Sequence, residues 1–177
     1  MRKYNELLDI VDENDQVIGH DTRDNIHKLG LLHREVCVWI YNDKKEIVFQ
    51  RRSPDKDLYP NLLDASAGGH VGLGMDYETA AAKELKEETG IKASKGDLVF
   101  LKMTRKKDYD EATGNINNLI RAVYLYKIKP NQTLSLEHGM ATGFEFYSID
   151  KLKSLSESER RQFTPIPLAE AIELNLP

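Results

Sequence analysis

Apolar and polar positions along the chain predict its elements. Short apolar runs at Leu7 to Val11 and Gln16 to Gly19 flank Glu13-Asn14-Asp15, which predicts a hairpin with a polar turn. Glu35 to Tyr41, rich in β-branched and aromatic residues, and Glu46 to Gln50 predict a second hairpin through the turn Asn42-Asp43-Lys44-Lys45. Between the hairpins, Asp21 to Leu32 is polar and reads as irregular chain that carries His27 and His33 toward the second one. Arg51 to Asn61, with Pro54, Pro60 and many charges, reads as a loop. Ser66 to Val71 is short and Gly-containing, as expected where backbone approaches something closely.

The strongest helix signal follows. Asp76 is an N-cap candidate, Tyr77 to Thr89 holds good helix formers, and Gly90 supplies the stop. Downstream, Leu98 to Met103, Leu119 to Ile128 and Phe144 to Ile149 read as strands, with Val123 and Leu125 alternating against Tyr124 and Tyr126. Lys106 to Gly114 reads as a solvated hairpin tip, Asp150 as the cap of a short helix, and Leu168 to Leu174 as a last helix. Strands before and after one long helix predict an α/β or α+β chain with a mixed sheet, and no domain boundary is evident.

Composition narrows the class. The 177 residues carry 25 Lys and Arg against 29 Asp and Glu, a formal charge of −4, with 40% hydrophobic residues. This is the profile of an ordinary globular chain of one domain. The acidic balance argues against a general nucleic-acid or membrane-surface binder. Cys37 is the only cysteine, which excludes an intramolecular disulfide and a Cys-built zinc site. No apolar run approaches the about 18 residues of a membrane span, and the start at Met1-Arg-Lys-Tyr lacks a signal-peptide core. A cytoplasmic location is expected.

Lys83-Glu84-Leu85-Lys86-Glu87-Glu88-Thr89-Gly90 carries the candidate chemistry. On a helix, Glu84, Glu87 and Glu88 stand at i, i+3 and i+4 and share one face, where like charges oppose one another by about 0.2–0.5 kcal/mol per pair. Such a face is either solvated and offset by Lys83 and Lys86, or it ligates a hard divalent cation that also takes substrate phosphates.

With Gly68-Gly69-His70-Val71-Gly72-Leu73-Gly74 before it, this stretch resembles the Nudix box of the Nudix hydrolases, running here from Gly69 to Ile91. Glu84, Leu85, Glu87, Glu88, Gly90 and Ile91 match; Met75 stands where the box has its first Glu, and Lys83 where it has Arg. The resemblance implies one Nudix domain over residues 1–177, with the hairpin at about 7–19 as an N-terminal addition. Its fold would be an α/β/α sandwich around a mixed central β-sheet. It further implies Mg²⁺ or Mn²⁺ held by Glu84, Glu87 and Glu88 with the carbonyl of Gly69, and Glu87 or Glu88 as catalytic base. Asp108, Asp110, Glu111, Glu137 and Glu145 are further candidates for that base.

Asp12-Glu13, Arg23, Gly30 to Arg34, Gln50 to Ser53, Lys56, Pro60 and Asp64 to Val71 resemble the Nudix branch that contains type 1 isopentenyl-diphosphate isomerase. By that resemblance Arg52 and Lys56 contact a diphosphate, and His33 and His70, with His27 displaced by one residue, match a histidine-built second metal site. The isomerase's catalytic Cys is Gly68 here, and its acidic pair falls on Asn117-Asn118-Leu119. Isomerisation needs one group to protonate an alkene and another to remove a proton, and both are missing. His33, with Arg34, is therefore expected to be structural or a substrate contact, and His70 a substrate contact.

The expected activity is metal-dependent hydrolysis of a diphosphate bond in a nucleoside-diphosphate-linked or similar small molecule. An isomerase-like protein and a catalytically silent nucleotide-binding domain are the alternatives. Tyr109, Tyr124, Tyr126, Phe144 and Phe146 could stack on a base or belong to the core. Many Nudix proteins are homodimers, and the family carries that expectation here.

Overall fold

The computed structural model describes residues 6–56, 59–94, 96–111, 113–136 and 139–177. In chain order the elements are β1 (Leu7–Val11), β2 (Val17–Thr22), α1 (Arg23–Leu29), β3 (His33–Tyr41) and β4 (Glu46–Arg52). Then come β5 (Leu63–Asp64), β6 (Ala67–His70), α2 (Tyr77–Thr89), β7 (Leu98–Asp110), β8 (Asn115–Lys127) and β9 (Ala141–Ser148). Short helices α3 (Ile149–Lys153), α4 (Glu157–Arg160) and α5 (Pro165–Ile172) follow. This is the expected α/β class, with the nine strands in one mixed sheet. The chain divides into two compact units: Met1–Cys37, Gly68–Ala81 and Phe100–Tyr124 form one, and Val38–Ala67, Ala82–Val99 and Leu125–Pro177 the other.

In the first unit the predicted hairpin forms, with β1 and β2 antiparallel from Leu7↔Thr22 to Val11↔Val17. Its turn is built by the Asp12 carboxylate, which accepts from the backbone N–H groups of Asn14 and Gln16, both at 2.9 Å. Asp15 takes the left-handed conformation (φ 62°) that a short polar side chain tolerates. Arg34 Nε donates to Asp15 Oδ1 at 2.7 Å, and Tyr77 Oη donates to the same carboxylate at 3.1 Å. The turn is thus tied to β3 and to the start of α2, over a small core of Val11, Leu32 and Ile120.

The segment read as irregular between the hairpins contains α1. Thr22 caps it, accepting from Asn25 N, and Gly30 ends it at φ 64°. Apolar periodicity is too sparse over these seven residues to announce a helix, so its signals are the caps alone. Lys106 to Asp110 is likewise strand and not loop: β7 continues to Asp110, its charged residues alternating along a strand that pairs only with β8 among the described strands. The alternation expected in β8 does not separate a wet face from a dry one, since Ala122 to Tyr126 are all buried.

In the second unit, β4 pairs antiparallel with β9 from Glu46↔Ser148 to Arg52↔Ala141, and with β5 at Gln50↔Asp64. Phe49 organises the core, meeting Trp39, Tyr147 and Phe163 edge-on at centroid distances of 5.3, 5.8 and 5.0 Å. Ser148, not Asp150, caps α3, accepting from Lys151 N; its extended backbone places the hydroxyl over the first turn. Ser66, fully buried, accepts from Ile40 N at 2.9 Å and donates to the carbonyl of Val48, joining β3 to β4 ahead of β6.

Ser66→Ala leaves a buried N–H and a buried carbonyl without that partner. The expected loss is about 1–3 kcal/mol, seen as a lower urea midpoint at unchanged m-value.

Candidate functional site

Local helical geometry builds the first cluster. Asp76 Oδ1 accepts from Thr79 N at 2.7 Å and starts α2; Gly90, at φ 73°, ends it. Within the second unit, Glu84 is 4% exposed, Glu88 is half-buried and Glu87 is exposed. Lys83 Nζ donates to Glu84 Oε1 at 2.9 Å and lies 3.3 Å from Glu87 Oε2. Burial by itself would lower the Lys83 pKa; the bond to Glu84 and the charges of Glu84 and Glu87 outweigh it, and the net shift is upward. An ammonium thus sits between two of the three carboxylates, which shows that this face accommodates a cation. Lys83 reaches Glu84 through one donor, where an Arg would offer a planar fork.

Arg52 and Lys56 lie in the same unit, at and just beyond the end of β4. Arg52 Nη1 donates to Asp64 Oδ2 at 2.7 Å, which orients the guanidinium. Lys56 Nζ lies 3.1 Å from Met140 Sδ, and Ser53 N donates to the Met140 carbonyl, so the turn after β4 is held against the start of β9. The neighbouring Arg51 is engaged elsewhere, by Glu145 and the carbonyl of Asn61. Glu145, a candidate base, is consumed by Arg51 and by Tyr147 Oη at 2.8 Å. Among the other candidates, Asp108 and Asp110 lie on β7, Asp108 3.2 Å from Lys106 Nζ; Glu111 follows that strand, and Glu137 lies outside the described residues. Gly69 lies in β6, in the first unit.

The first unit holds a second cluster. His27 of α1, His33 at the start of β3 and His70 at the end of β6 place one nitrogen each within 4.8 Å of one another. His27 Nδ1 bonds the Arg23 carbonyl at 2.7 Å and His33 Nδ1 the Leu31 carbonyl at 2.9 Å. A carbonyl only accepts, so Nδ1 carries the proton in both rings and Nε2 keeps its lone pair. His27 Nε2 meets His70 Nε2 at 3.2 Å, while His33 Nε2 is buried with no hydrogen-bond partner among the described residues. Burial lowers the pKa of His27, and burial, with the charges of His27 and Arg23, pushes His33 down to about 4. These rings stay neutral, the form that ligates metals.

The resemblance grouped His33, His70 and, with a one-residue displacement, His27 as matches to one site, and the three rings do lie together. The helix that aims His27 inward was the missing element, and its signal was the Thr22 and Gly30 caps. Asn118, in the stretch that replaces the isomerase's acidic pair, donates to the Gly30 carbonyl at 2.9 Å and so braces the end of α1. Beside the cluster, a Cβ at Gly68 would lie 2.8 Å from the Val36 carbonyl oxygen, so the backbone there is closed to any side chain.

Comparison with known proteins places these clusters in context. The NUDIX domain profile matches residues 31–166. A Nudix hydrolase of Clostridium acetobutylicum without an assigned substrate is 31% identical over 151 residues, covering 83% of this chain and 72% of its own. Human isopentenyl-diphosphate delta-isomerase 2 is 29% identical over 178 residues, covering 91% of this chain and 77% of its own. A crystal structure of a Deinococcus radiodurans protein superposes with a TM-score of 0.66 at 26% identity, covering 83% of this chain and 86% of that one.

The depressed His33 and His27 pKa values carry a pH dependence. The unfolded chain takes up these protons near pH 6.5 and the folded chain only at lower pH. Stability in the presence of a chelator is therefore full above pH 6.5 and falls as pH drops toward about 4. The His33 contribution is at most about 3 kcal/mol. Urea titrations between these limits should show the slope, and His33→Leu should flatten it.

Proposed function

The chain belongs to the Nudix family and is a Nudix-type hydrolase, and on that premise we propose that it hydrolyses a diphosphate bond in a small nucleoside-diphosphate-linked molecule with Mg²⁺ or Mn²⁺. The observation that carries this reading is the Lys83 ammonium between the carboxylates of Glu84 and Glu87, on a face that buries Glu84. Glu84, Glu87 and Glu88 would hold the metal, a hard oxygen donor set suited to either ion. When bound, the metal supplies neutralisation of phosphate charge and activation of water.

The chain's own residues do the rest. Glu87 or Glu88 takes the proton from the attacking water, the water oxygen bonds to phosphorus, and the bridging P–O bond breaks with a phosphate leaving. Arg52, its plane set by Asp64, binds phosphate oxygens through its fork, and Lys56 adds a point charge. Similarity to the isomerase does not extend to its chemistry. The position of its cysteine is Gly68, where a side chain would collide with Val36, and no carboxylate stands at Asn117 or Asn118.

A second cation position is favoured by the unpartnered Nε2 of His33. Three imidazoles, two of them oriented by carbonyls, form a donor set for Zn²⁺ or another transition metal and a poor one for Mg²⁺.

Glu87→Gln should lower phosphate release from a panel of nucleoside di- and triphosphates and nucleotide sugars by about 10²–10⁴-fold, with the fold unchanged by circular dichroism. Equal turnover by the variant sinks the assignment, and nucleotide binding without turnover by the wild type points to a silent binding domain. In equilibrium dialysis with Co²⁺, His33→Leu should lose a bound ion that Glu87→Gln retains; identical stoichiometry in the two variants rules out the histidine site.

A further inference from the structure

Gln50 of β4 lies in the second unit, outside both clusters, and is 7% exposed. Its Nε2 is buried and has no hydrogen-bond partner among the described residues. Such a group is costly to keep, because the water it gave up has not been replaced. The side chains on its own face of the sheet show why the chain does not satisfy it. Residues directly opposite in an antiparallel ladder share a face, and Gln50 stands opposite Asp64 of β5 and Phe144 of β9. Asp64 is already engaged. Its Oδ2 accepts from Arg52 Nη1 at 2.7 Å, and its Oδ1 accepts from Ala65 N at 2.9 Å and Thr164 Oγ1 at 3.1 Å. The Phe144 ring has no acceptor oxygen to offer. Along the strand, the next side chains on this face are Val48 and Arg52, one apolar and the other a donor only.

The face therefore runs in a fixed order: Arg52, then Gln50 beside half-buried Phe144, then Val48 beside Phe146, which is 45% exposed. Two residues along a strand advance by about 6.6 Å. An acceptor for Gln50 thus belongs to the group one such step from a phosphate on the Arg52 fork. In a nucleoside diphosphate or a nucleotide sugar that group is a sugar, whose oxygens accept. In an isoprenoid diphosphate it is hydrocarbon, and the amide stays unpaired. A site that buries a donor in this way rejects the ligand that lacks its acceptor.

We propose that Gln50 selects the substrate class of this site: its Nε2 donates to an oxygen of the sugar joined to the diphosphate, and Phe146 offers the base beyond it a stacking surface. This selection rests on Arg52 binding the diphosphate, and adds to that reading the demand for a sugar.

Calorimetric titration of the Glu87→Gln chain in Mg²⁺, where the ligands stay intact, tests it with ADP, ribose 5-diphosphate and isopentenyl diphosphate. ADP and the ribose compound should bind about tenfold more tightly than the isopentenyl compound. Adding Gln50→Met, which keeps the side-chain length without the amide, should weaken both by about tenfold and leave isopentenyl diphosphate unchanged. Removal of an unpaired donor should leave the urea midpoint unchanged or raised, whereas a lowered midpoint marks Gln50 as structural and overturns the proposal. Arg52→Ala should weaken all three ligands. Should none of the three bind, or Arg52→Ala weaken none, the phosphate reading fails and the sugar selection falls with it. Where Arg52→Ala weakens all three, but Gln50→Met weakens none of them or all of them alike, the role of Gln50 alone is overturned. A Gln50→Met loss confined to ADP puts the acceptor on the base and overturns the sugar assignment.

Discussion

Burying a carboxylate is costly unless a cation or hydrogen-bond donors replace the water it loses, and Glu84 is where this chain meets that constraint. The residue is 4% exposed, on a helix face that also carries Glu87 and Glu88. Lys83 answers with a bond to Glu84 and a second contact to Glu87, and its raised pKa records the exchange. The helix dictates these meetings: residues one and four apart along α2 bring a single ammonium to two carboxylates. Such a face is prepared for positive charge.

The first unit solves a related problem with neutral groups. Burial keeps the rings of His27 and His33 neutral where they lie beside His70. Carbonyls of Arg23 and Leu31 fix the proton of both on Nδ1. The cost is visible as one nitrogen without a partner among the described residues, on His33. Close packing reaches the neighbouring Gly68, where the Val36 carbonyl leaves no room for a side chain. A side chain at this position, where the isomerase resemblance sets a cysteine, does not fit the strand spacing.

How legible each feature was depends on how local its physics is. The helix α2 was readable to the residue, because Asp76, Gly90 and the i, i+3, i+4 carboxylates all act within a few residues of one another. The two hairpins were readable for the same reason, their turns being written in Asn14-Asp15 and Asn42 to Lys45. α1 was missed since seven residues give too little periodicity to outweigh their polarity. The end of β7 was missed since charged residues on a strand with one neighbour look like loop. The cap of α3 falls on Ser148 and not on the expected Asp150 because it rests on backbone angles at one position.

From the sequence alone came the α/β class, the family, and the carboxylates that share a face, because helical spacing and turn chemistry are local and need no knowledge of what packs against them. Tertiary structure alone decided that Asp64 orients Arg52 and that the rings of His27, His33 and His70 lie within reach of one another. Those contacts depend on side-chain direction and on strands and helices distant in sequence coming into register. Periodicity carries no information about that register.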